Sequence, residues 1–354
     1  MLQVDNSKPD FPWGPFPDGW YTVSFSEELK AGEVKRVTYG GKNLVLWRTA
    51  SGRAVLSDAY CPHMGAHLGY GGVVRGESIQ CPFHSFCFDP EGRCTSTPYE
   101  GKIPHRARLG TVPLEEKHGL LLAWLPGGEP GWSVPALDTT GWLPLRHNVW
   151  TLSTHPQETS ENSVDLGHLP VVHHYEDVRT LNLARADGPY LTARYSMRRK
   201  GIPGIGKYID AEFTVHLWGL GYSLVETWVE SMGIRAREFV LNTPVDGKLC
   251  HMRAATSIYD GIPLEKVSPA LALLPKRLAL HALREVIFQS FVNDMKQDFD
   301  IWQTKRYVDP PALAQGDGPV GLYRRWCRQF YPDMPKTAAG AGAQPQEMLS
   351  VASG

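Results

Sequence analysis

The chain has 354 residues, with 36 Lys and Arg against 37 Asp and Glu and a formal net charge of −1. That length accommodates two domains with separate cores, and so even a charge gives no electrostatic footing for nucleic acid or an anionic membrane surface. No apolar run approaches the roughly 20 residues of a membrane span, no basic-then-apolar leader opens the chain, and the six cysteines lack framework spacing, so a soluble, cytoplasmic protein is expected.

From Trp20 to Leu125, short β-rich runs (GWYTVSF, KRVTYGGKNLVLWRT, SGRAVLSDAY, RLGTVPLEEKHGLLLAWL) alternate with Gly and Asp turns. Period-2 patterning with turns this frequent predicts a small antiparallel β domain over residues 16–130. Within it, YCPHMGAHLGYGGVVRGESIQCPFHSFCF carries Cys61 and His63, then Cys81 and His84. Two thiolates and two imidazoles from two Pro-containing loops are the ligand set of a [2Fe–2S] centre with mixed coordination. The two Cys then hold one iron and the two His the other, which raises the potential above that of an all-Cys ferredoxin. A structural zinc uses the same residue types, but zinc sites favour C-x2-4-C and H-x3-5-H spacings over alternating Cys/His pairs. Cys87 and Cys94 read as free thiols packed near this site.

The Gly- and Pro-rich LPGGEPGWSVP, Leu125 to Pro135, reads as a linker to a second domain over residues 131–335. There, ENSVDLGHLPVVHH spans Glu161 to His174. Asp165 and His168 share one face if the segment is helical. Pro170 cannot donate to the carbonyl of Leu166, so the helix should bend and swing His173 toward His168. Two His supply two ligands of the two-His-one-carboxylate set that binds non-haem Fe(II) and leaves positions open for O2. His174 satisfies the spacing as well as His173, and a packed polar helix face would show the same pattern. The motif gains weight beside a cluster that carries electrons and needs an acceptor. Strands return between Tyr190 and Tyr259 (ARYSM, AEFTVHLW, YSLVETWVE, REFVLNT, CHMRAATSIY), and between Pro275 and Tyr307 the apolar period becomes helical, with Leu280, Leu283, Ile287, Phe291 and Met295 on one face. NDMKQDFDIW offers Asp294, Asp298 and Asp300 as the distant carboxylate. A carboxylate buried on such a helix needs a partner, and a metal is one. The last stretch, 336–354, is small and polar and reads as a disordered tail. The fold class is α+β: an N-terminal antiparallel β domain, then a domain with an antiparallel sheet covered by helices.

From Gly19 to about Pro332 the chain resembles the α subunits of Rieske non-haem iron oxygenases. The motifs that carry the likeness are GWY, LVLWRT, DAYCPHMGAHLGYGG, CPFHSFCFDPEGRC and the ENxxDxxHxxxxH run, and the C-x-H, 17-residue spacer, C-x-x-H pattern is a specific Rieske signature. Ala66 and Phe83 stand where cytochrome-complex Rieske proteins carry a disulfide. The family pattern implies iron ligation by His168 and His173, with His174 as a neighbour. QDFDIW followed by DGPVGLYRRWCRQFYP is similar to the C-terminal part of 3-ketosteroid 9α-hydroxylase oxygenase components and cholesterol 7-desaturases, and points to Asp298 as third ligand. The same resemblance makes Asp165 a bridge between His168 and His84 of an adjacent subunit, and so implies a head-to-tail homotrimer. It implies a terminal oxygenase, mono- or dioxygenase, that uses O2 and two electrons to hydroxylate or otherwise oxidise a bulky ring substrate, steroid-like or a specialised metabolite. Aminopyrrolnitrin oxygenase shares these motifs, so N-oxidation and desaturation belong to the same expectation. The chain has no dinucleotide fingerprint and no flavin motif, so NAD(P)H serves only through a separate reductase or ferredoxin. A Rieske ferredoxin would be little more than the first domain, and a redox sensor would leave His168, His173 and Asp298 unexplained.

Overall fold

The computed structural model describes residues 11–201 and 208–331; the tail expected over 336–354 lies outside them. The first lobe is built from β1 Gly19–Phe25, β2 Val34–Tyr39, β3 Lys42–Arg48, β4 Ala54–Asp58, β5 Val73–Arg75, β6 Ser78–Gln80, β7 Cys87–Phe88, β8 Cys94–Ser96, β9 Thr111–Val112, β10 Leu114–Lys117 and β11 Leu120–Leu125. These form antiparallel sheets of order β1-β11-β10, β2-β3-β4-β9 and β5-β6-β7-β8. Strand β3 explains the arrangement. Its Val45 and Trp47 face a core shared with Ile79, Phe88, Cys61 and Cys81, while Leu44 and Leu46 face the core of β1 and β11. A strand buried on both faces reads as a continuous apolar run, as LVLW does.

The second lobe has one antiparallel sheet of seven strands: β12 Arg146–Ser153, β13 Glu176–Asp187, β14 Tyr190–Lys200, β15 Tyr208–Trp218, β16 Tyr222–Val229, β17 Ile234–Pro244 and β18 Leu249–Ile258. Their order is β12-β18-β17-β16-β15-β14-β13. Strand β15 alternates in the manner expected of a half-covered sheet, with Ile209, Ala211, Phe213, Val215 and Leu217 buried. Among the described residues, seven α-helices accompany it: α1 Pro156–Ser160, α2 His168–Val172, α3 Leu264–Val267, α4 Pro269–Ala272, α5 Lys276–Gln297, α6 Phe299–Thr304 and α7 Val320–Cys327.

Two expectations are corrected here. The segment from Glu161 to His173 is not one helix bent at Pro170: a 3-10 turn covers Glu161–Ser163, the chain breaks, and α2 begins at His168. Pro170 falls in the first turn of α2, where backbone N–H groups have no intrahelical partner and a missing one costs nothing. The expected helix of 275–307 is interrupted at Asp298, which caps α5 and opens α6. Its inward face also splits in function. Leu280, Leu283 and Met295 are buried, whereas Ile287 and Phe291 are half-buried because they line a cavity.

The lobes share a core in which Trp20, Phe25, Leu122 and Trp124 pack against Tyr222, Phe239 and Leu241. Arg253 of β18 crosses the same seam, donating to Val23 O at 3.0 Å and Tyr39 Oη at 2.6 Å. The linker is irregular but held: Trp20 Nε1 donates to Trp132 O at 2.6 Å, and Val134 joins the seam core. Phe239→Ala should therefore cost about 3–5 kcal/mol and lower the melting temperature of both lobes in one transition. Calorimetry resolving two transitions, with the first lobe unchanged, would contradict a shared seam.

Candidate active site and metal centres

Two loops at the tip of the first lobe have the same local design. In one, Cys61 N donates to Ala66 O at 2.8 Å and Gly65 N to Cys61 O at 2.9 Å. In the other, Cys81 N donates to Phe86 O at 2.8 Å and Ser85 N to Cys81 O at 3.1 Å. Gly65 and Ser85 hold matching left-handed turns, φ +76° and +57°. Each turn sends a cysteine inward and a histidine outward: Cys61 and Cys81 are buried, while His63 and His84 are half-exposed with ring centroids 4.7 Å apart. Burial pushes the Cys61 thiol up to about 11, opposed by an amide N–H from His63 and reinforced by the sulfurs of Cys81 and Cys94. A thiol so placed ionises readily only when a metal supplies the countercharge.

The donor set also discriminates between metals. A tetrahedral zinc with bonds of about 2.0–2.3 Å draws its four ligand atoms to within about 4 Å of one another. Among the described residues, the group of three or more ligand atoms mutually within 4.8 Å is His168, His173 and Asp298, not the Cys/His loops. The loops pair sulfur with sulfur and ring with ring at two separate ends, which suits a two-iron cluster. Cys87 and Cys94 are free, half-buried thiols beside it.

The second constellation lies in the second lobe. His173 Nε2 stands 3.5 Å from Asp298 Oδ2, and the His168 and His173 rings are 5.0 Å apart. Each imidazole is held from behind. Asp165 O accepts from His168 Nδ1 at 2.6 Å, and Gln297 Oε1 accepts from His173 Nδ1 at 2.9 Å. With Nδ1 as donor in both rings, both Nε2 lone pairs are left to a metal, the outer-contact arrangement that fixes metal-binding histidines. Asp298 is 5% exposed, and burial pushes its carboxyl above the usual range; His173, His168 and Asn162 offset this only in part. A buried carboxylate incompletely compensated by protein, between two lone pairs, fits a divalent cation.

The rivals are placed elsewhere. His174 is exposed at φ +57°. Asp294 is engaged by Arg199 at 2.8 Å and accepts from Tyr175 Oη at 2.7 Å, and Asp300 is exposed. Asp165 is adjacent to His168, but its main-chain carbonyl makes the bond and its carboxylate stands 3.8 Å from Nδ1. Although burial opposes it, His168 and the Gly167 and His168 amides hold that carboxyl below its usual value.

Sequence reasoning missed the residues that hold the ligand segment. Arg324 of α7 grips Glu161 at 2.7 and 2.9 Å, Tyr323 Oη donates to Gln157 O at 2.8 Å, and Trp302 Nε1 donates to Asn162 Oδ1 at 3.2 Å. Gln297 was also missed; its place beside Asp298 was its only signal.

The three ligand candidates sit on the wall of a cavity of about 230 Å³ between the sheet and α5. Its other walls are mostly apolar, with Met197, Phe213, Val225, Val229, Ile287 and Phe291 among them. Glu238 interrupts this surface. Burial pushes its carboxyl from the ordinary 4.5 up to about 7, opposed by the Thr227 hydroxyl and by Arg199.

Residues 125–331 match the family described as "3-Ketosteroid 9alpha-hydroxylase C-terminal domain", and residues 19–111 match the Rieske [2Fe-2S] domain. A cholesterol 7-desaturase of Caenorhabditis elegans is 30% identical over 352 residues, covering 90% of this chain and 77% of its own. The oxygenase component of a 3-ketosteroid-9-alpha-monooxygenase of Rhodococcus rhodochrous is 28% identical, covering 90% and 84%. Among solved structures, dicamba monooxygenase bound to dicamba aligns with a TM-score of 0.63 at 19% identity, covering 91% of this chain and 98% of that one. At that identity the likeness concerns the fold.

Glu238 gives a pH signature. The folded chain keeps this proton between about pH 4.5 and 7 where the unfolded chain has lost it, so its contribution to stability declines as pH rises through that window. Glu238→Gln should flatten the fall in melting temperature between about pH 5 and pH 8. Parallel curves for the two proteins would contradict the burial of this carboxyl.

Proposed function

Because the chain belongs to the Rieske oxygenases that carry the 3-ketosteroid 9α-hydroxylase C-terminal domain, we propose that it oxidises a bulky, largely apolar ring substrate, steroid-like in size, with O2 and two electrons. The observation that carries this reading is the convergence of His168, His173 and Asp298 on an apolar cavity, in a chain that also holds the two Cys/His loops. Cys61 and Cys81 would hold one iron of a [2Fe–2S] cluster, and His63 and His84 the other. His168, His173 and Asp298 would hold an Fe(II) ion, which would supply O2 activation when bound. The protein's part is to fix the two Nε2 lone pairs through Asp165 and Gln297, to contribute one negative charge from Asp298, and to keep bulk water away with aliphatic walls.

The chain takes its electrons from a separate reductase or ferredoxin that docks at the loops around His63 and His84, and NAD(P)H acts only through that partner. The copies assemble head to tail as a homotrimer. Two observations support this. Met64 and Phe83 are 66% and 59% exposed in the loops that carry His63 and His84, and Val171 is 73% exposed on α2, the helix that follows Asp165. Such apolar side chains suit a protein contact better than water. In that assembly the Asp165 carboxylate, 3.8 Å from His168 Nδ1, meets His84 of the next copy. The cysteines, whose spacing suits no disulfide framework, support a cytoplasmic location. We divide the chain at 130/131, within the irregular segment after β11, with the second domain taken to 335, of which 332–335 lie outside the described residues. Desaturation of a ring C–C bond is the second reading, favoured by the relatives named cholesterol 7-desaturases. Product mass separates the two: gain of one oxygen against loss of two hydrogens.

Two outcomes test the site. His168→Ala, His173→Ala and Asp298→Ala should hold about two iron atoms per chain instead of about three, with the cluster's visible spectrum intact, whereas His174→Ala and Asp300→Ala keep about three. Elemental analysis decides this, and a His174→Ala protein short of iron would reverse the assignment. Asp165→Asn should bind both metals and accept electrons normally, yet reoxidise its pre-reduced cluster about 10–100-fold more slowly with substrate and O2 present. Stopped-flow absorbance at unchanged rate would leave Asp165 as a carboxylate of the fold alone.

A further inference from the structure

The inner face of β17 reads Ile234, Ala236, Glu238, Val240 toward the cavity. On the neighbouring strand β16, Glu238 is paired with Val225, itself a cavity residue. A carboxyl thus stands in an aliphatic row where packing favours Val or Leu. Positions that break a local rule in this way are characteristic of functional sites. Thr227 Oγ1 donates to Glu238 Oε2 at 2.8 Å, and among the described residues no hydrogen bond reaches Oε1 and no ion pair reaches the group. The other charged cavity residues are accounted for. Asp165, His168, His173 and Asp298 form the metal constellation, and Arg199 and Asp294 neutralise each other at 2.8 Å. Arg199 in turn has Nε buried without a partner, although Nη2 donates to Ser290 Oγ at 2.7 Å.

We propose that Glu238, backed by Arg199, is the specificity-determining anchor of the cavity. The substrate is then an apolar ring molecule with one neutral hydroxyl or carbonyl oxygen, which accepts a hydrogen bond from the Glu238 carboxyl. This rests on the reading of the cavity as the substrate site of an oxygenase, and it narrows that reading to a chemical class. The argument is one of donors. The cavity holds a carboxyl whose second oxygen is unused, with the Arg199 guanidinium near it. Burial favours the protonated, donating form of that carboxyl, and the nearby guanidinium favours lone pairs over cations. A ring hydrocarbon would leave that oxygen dry and unpaired, and a substrate oxygen satisfies it. Sites built to hydrogen-bond a substrate reject the analogue that lacks the partner. Tyr195 Oη and Ser223 Oγ, on the same cavity, are also buried without partners, and the test must separate them from Glu238.

Binding of three probes, a 3-ketosteroid, its 3-hydroxy counterpart and the 3-deoxy hydrocarbon, is measured by calorimetry on the iron-loaded protein, anaerobic and without reductant. Wild type should bind the two oxygenated probes about tenfold more tightly than the hydrocarbon, the worth of one hydrogen bond. Glu238→Leu should erase that preference without lowering the melting temperature, since an aliphatic side chain suits the row. Glu238→Gln, which still donates, should keep most of it, and Tyr195→Phe should leave it unchanged. A wild type that binds none of the three or all three equally overturns the proposal. So does a Glu238→Leu protein that keeps the preference, a Tyr195→Phe protein that loses it, or tighter binding of a 3-amino steroid, which would mean an anionic Glu238 that reads cations. Iron content reports the underlying reading separately. Failure of the oxygenase reading appears as a missing third iron with the preference intact, and failure of the present inference as three irons with no preference.

Discussion

A carboxylate buried between two imidazoles is the constraint around which the second lobe is organised. Asp298 has too little solvent and too few protein donors to carry its charge unaided, since burial outweighs His173, His168 and Asn162. Such a group persists in a folded protein when it is neutralised, protonated or coordinated. Its neighbours favour the last of these, because the acceptors that fix His168 and His173 both take the Nδ1 proton and leave Nε2 to face the carboxylate. The helix break at Asp298 follows from the same demand. Helix α5 delivers the carboxylate at its end, and α6 turns away with Trp302 bonded to Asn162 of the opposing segment.

The rest of the lobe supplies the rigidity that a three-residue site needs. Seven strands give a wall whose inner face is aliphatic, and α5 closes it with Phe288, Val292 and Met295 packed on Leu152, Met252 and Ala254. The segment that carries both histidines has little regular structure of its own. It is held by α7, whose Arg324 pairs with the buried Glu161 and whose Tyr323 donates to Gln157 O. A helix more than a hundred residues away thereby positions the candidate metal ligands. The first lobe joins through a seam of tryptophans and phenylalanines, so the cluster loops stand at a fixed place on the body rather than on a tether.

How legible these features were in the sequence follows from how local their causes are. Each Cys/His loop is a self-contained turn with its own two backbone bonds, so the paired turns around Cys61, His63, Cys81 and His84 were legible from spacing alone. The alternation of β15 and the helical period of α5 were equally plain. His173 against His174 could not be separated by spacing: the backbone turns left-handed at His174 and sends it outward, a fact of φ rather than of pattern. Asp294 differs from Asp298 only because Arg199, from a strand nearly a hundred residues earlier, already holds it. Strand β13 (EDVRTLNLARAD) was missed because it is an exposed edge, where neither face needs apolar residues. The bend assigned to Pro170 assumed a continuous helix that the buried Val164 and the bond from Leu166 N to Asp317 O preclude.

The central claim is that one chain holds two distinct iron centres, one in the loops and one at the buried carboxylate. Anomalous difference maps from crystals of the anaerobically purified protein, recorded on either side of the iron absorption edge, test it without any assumption about substrate. The account predicts an elongated two-iron peak bounded by Cys61, Cys81, His63 and His84, and a separate single peak among His168, His173 and Asp298 that vanishes in Asp298→Ala. A lone peak at the loops, with ordered His168, His173 and Asp298 side chains and only water between them, would contradict it.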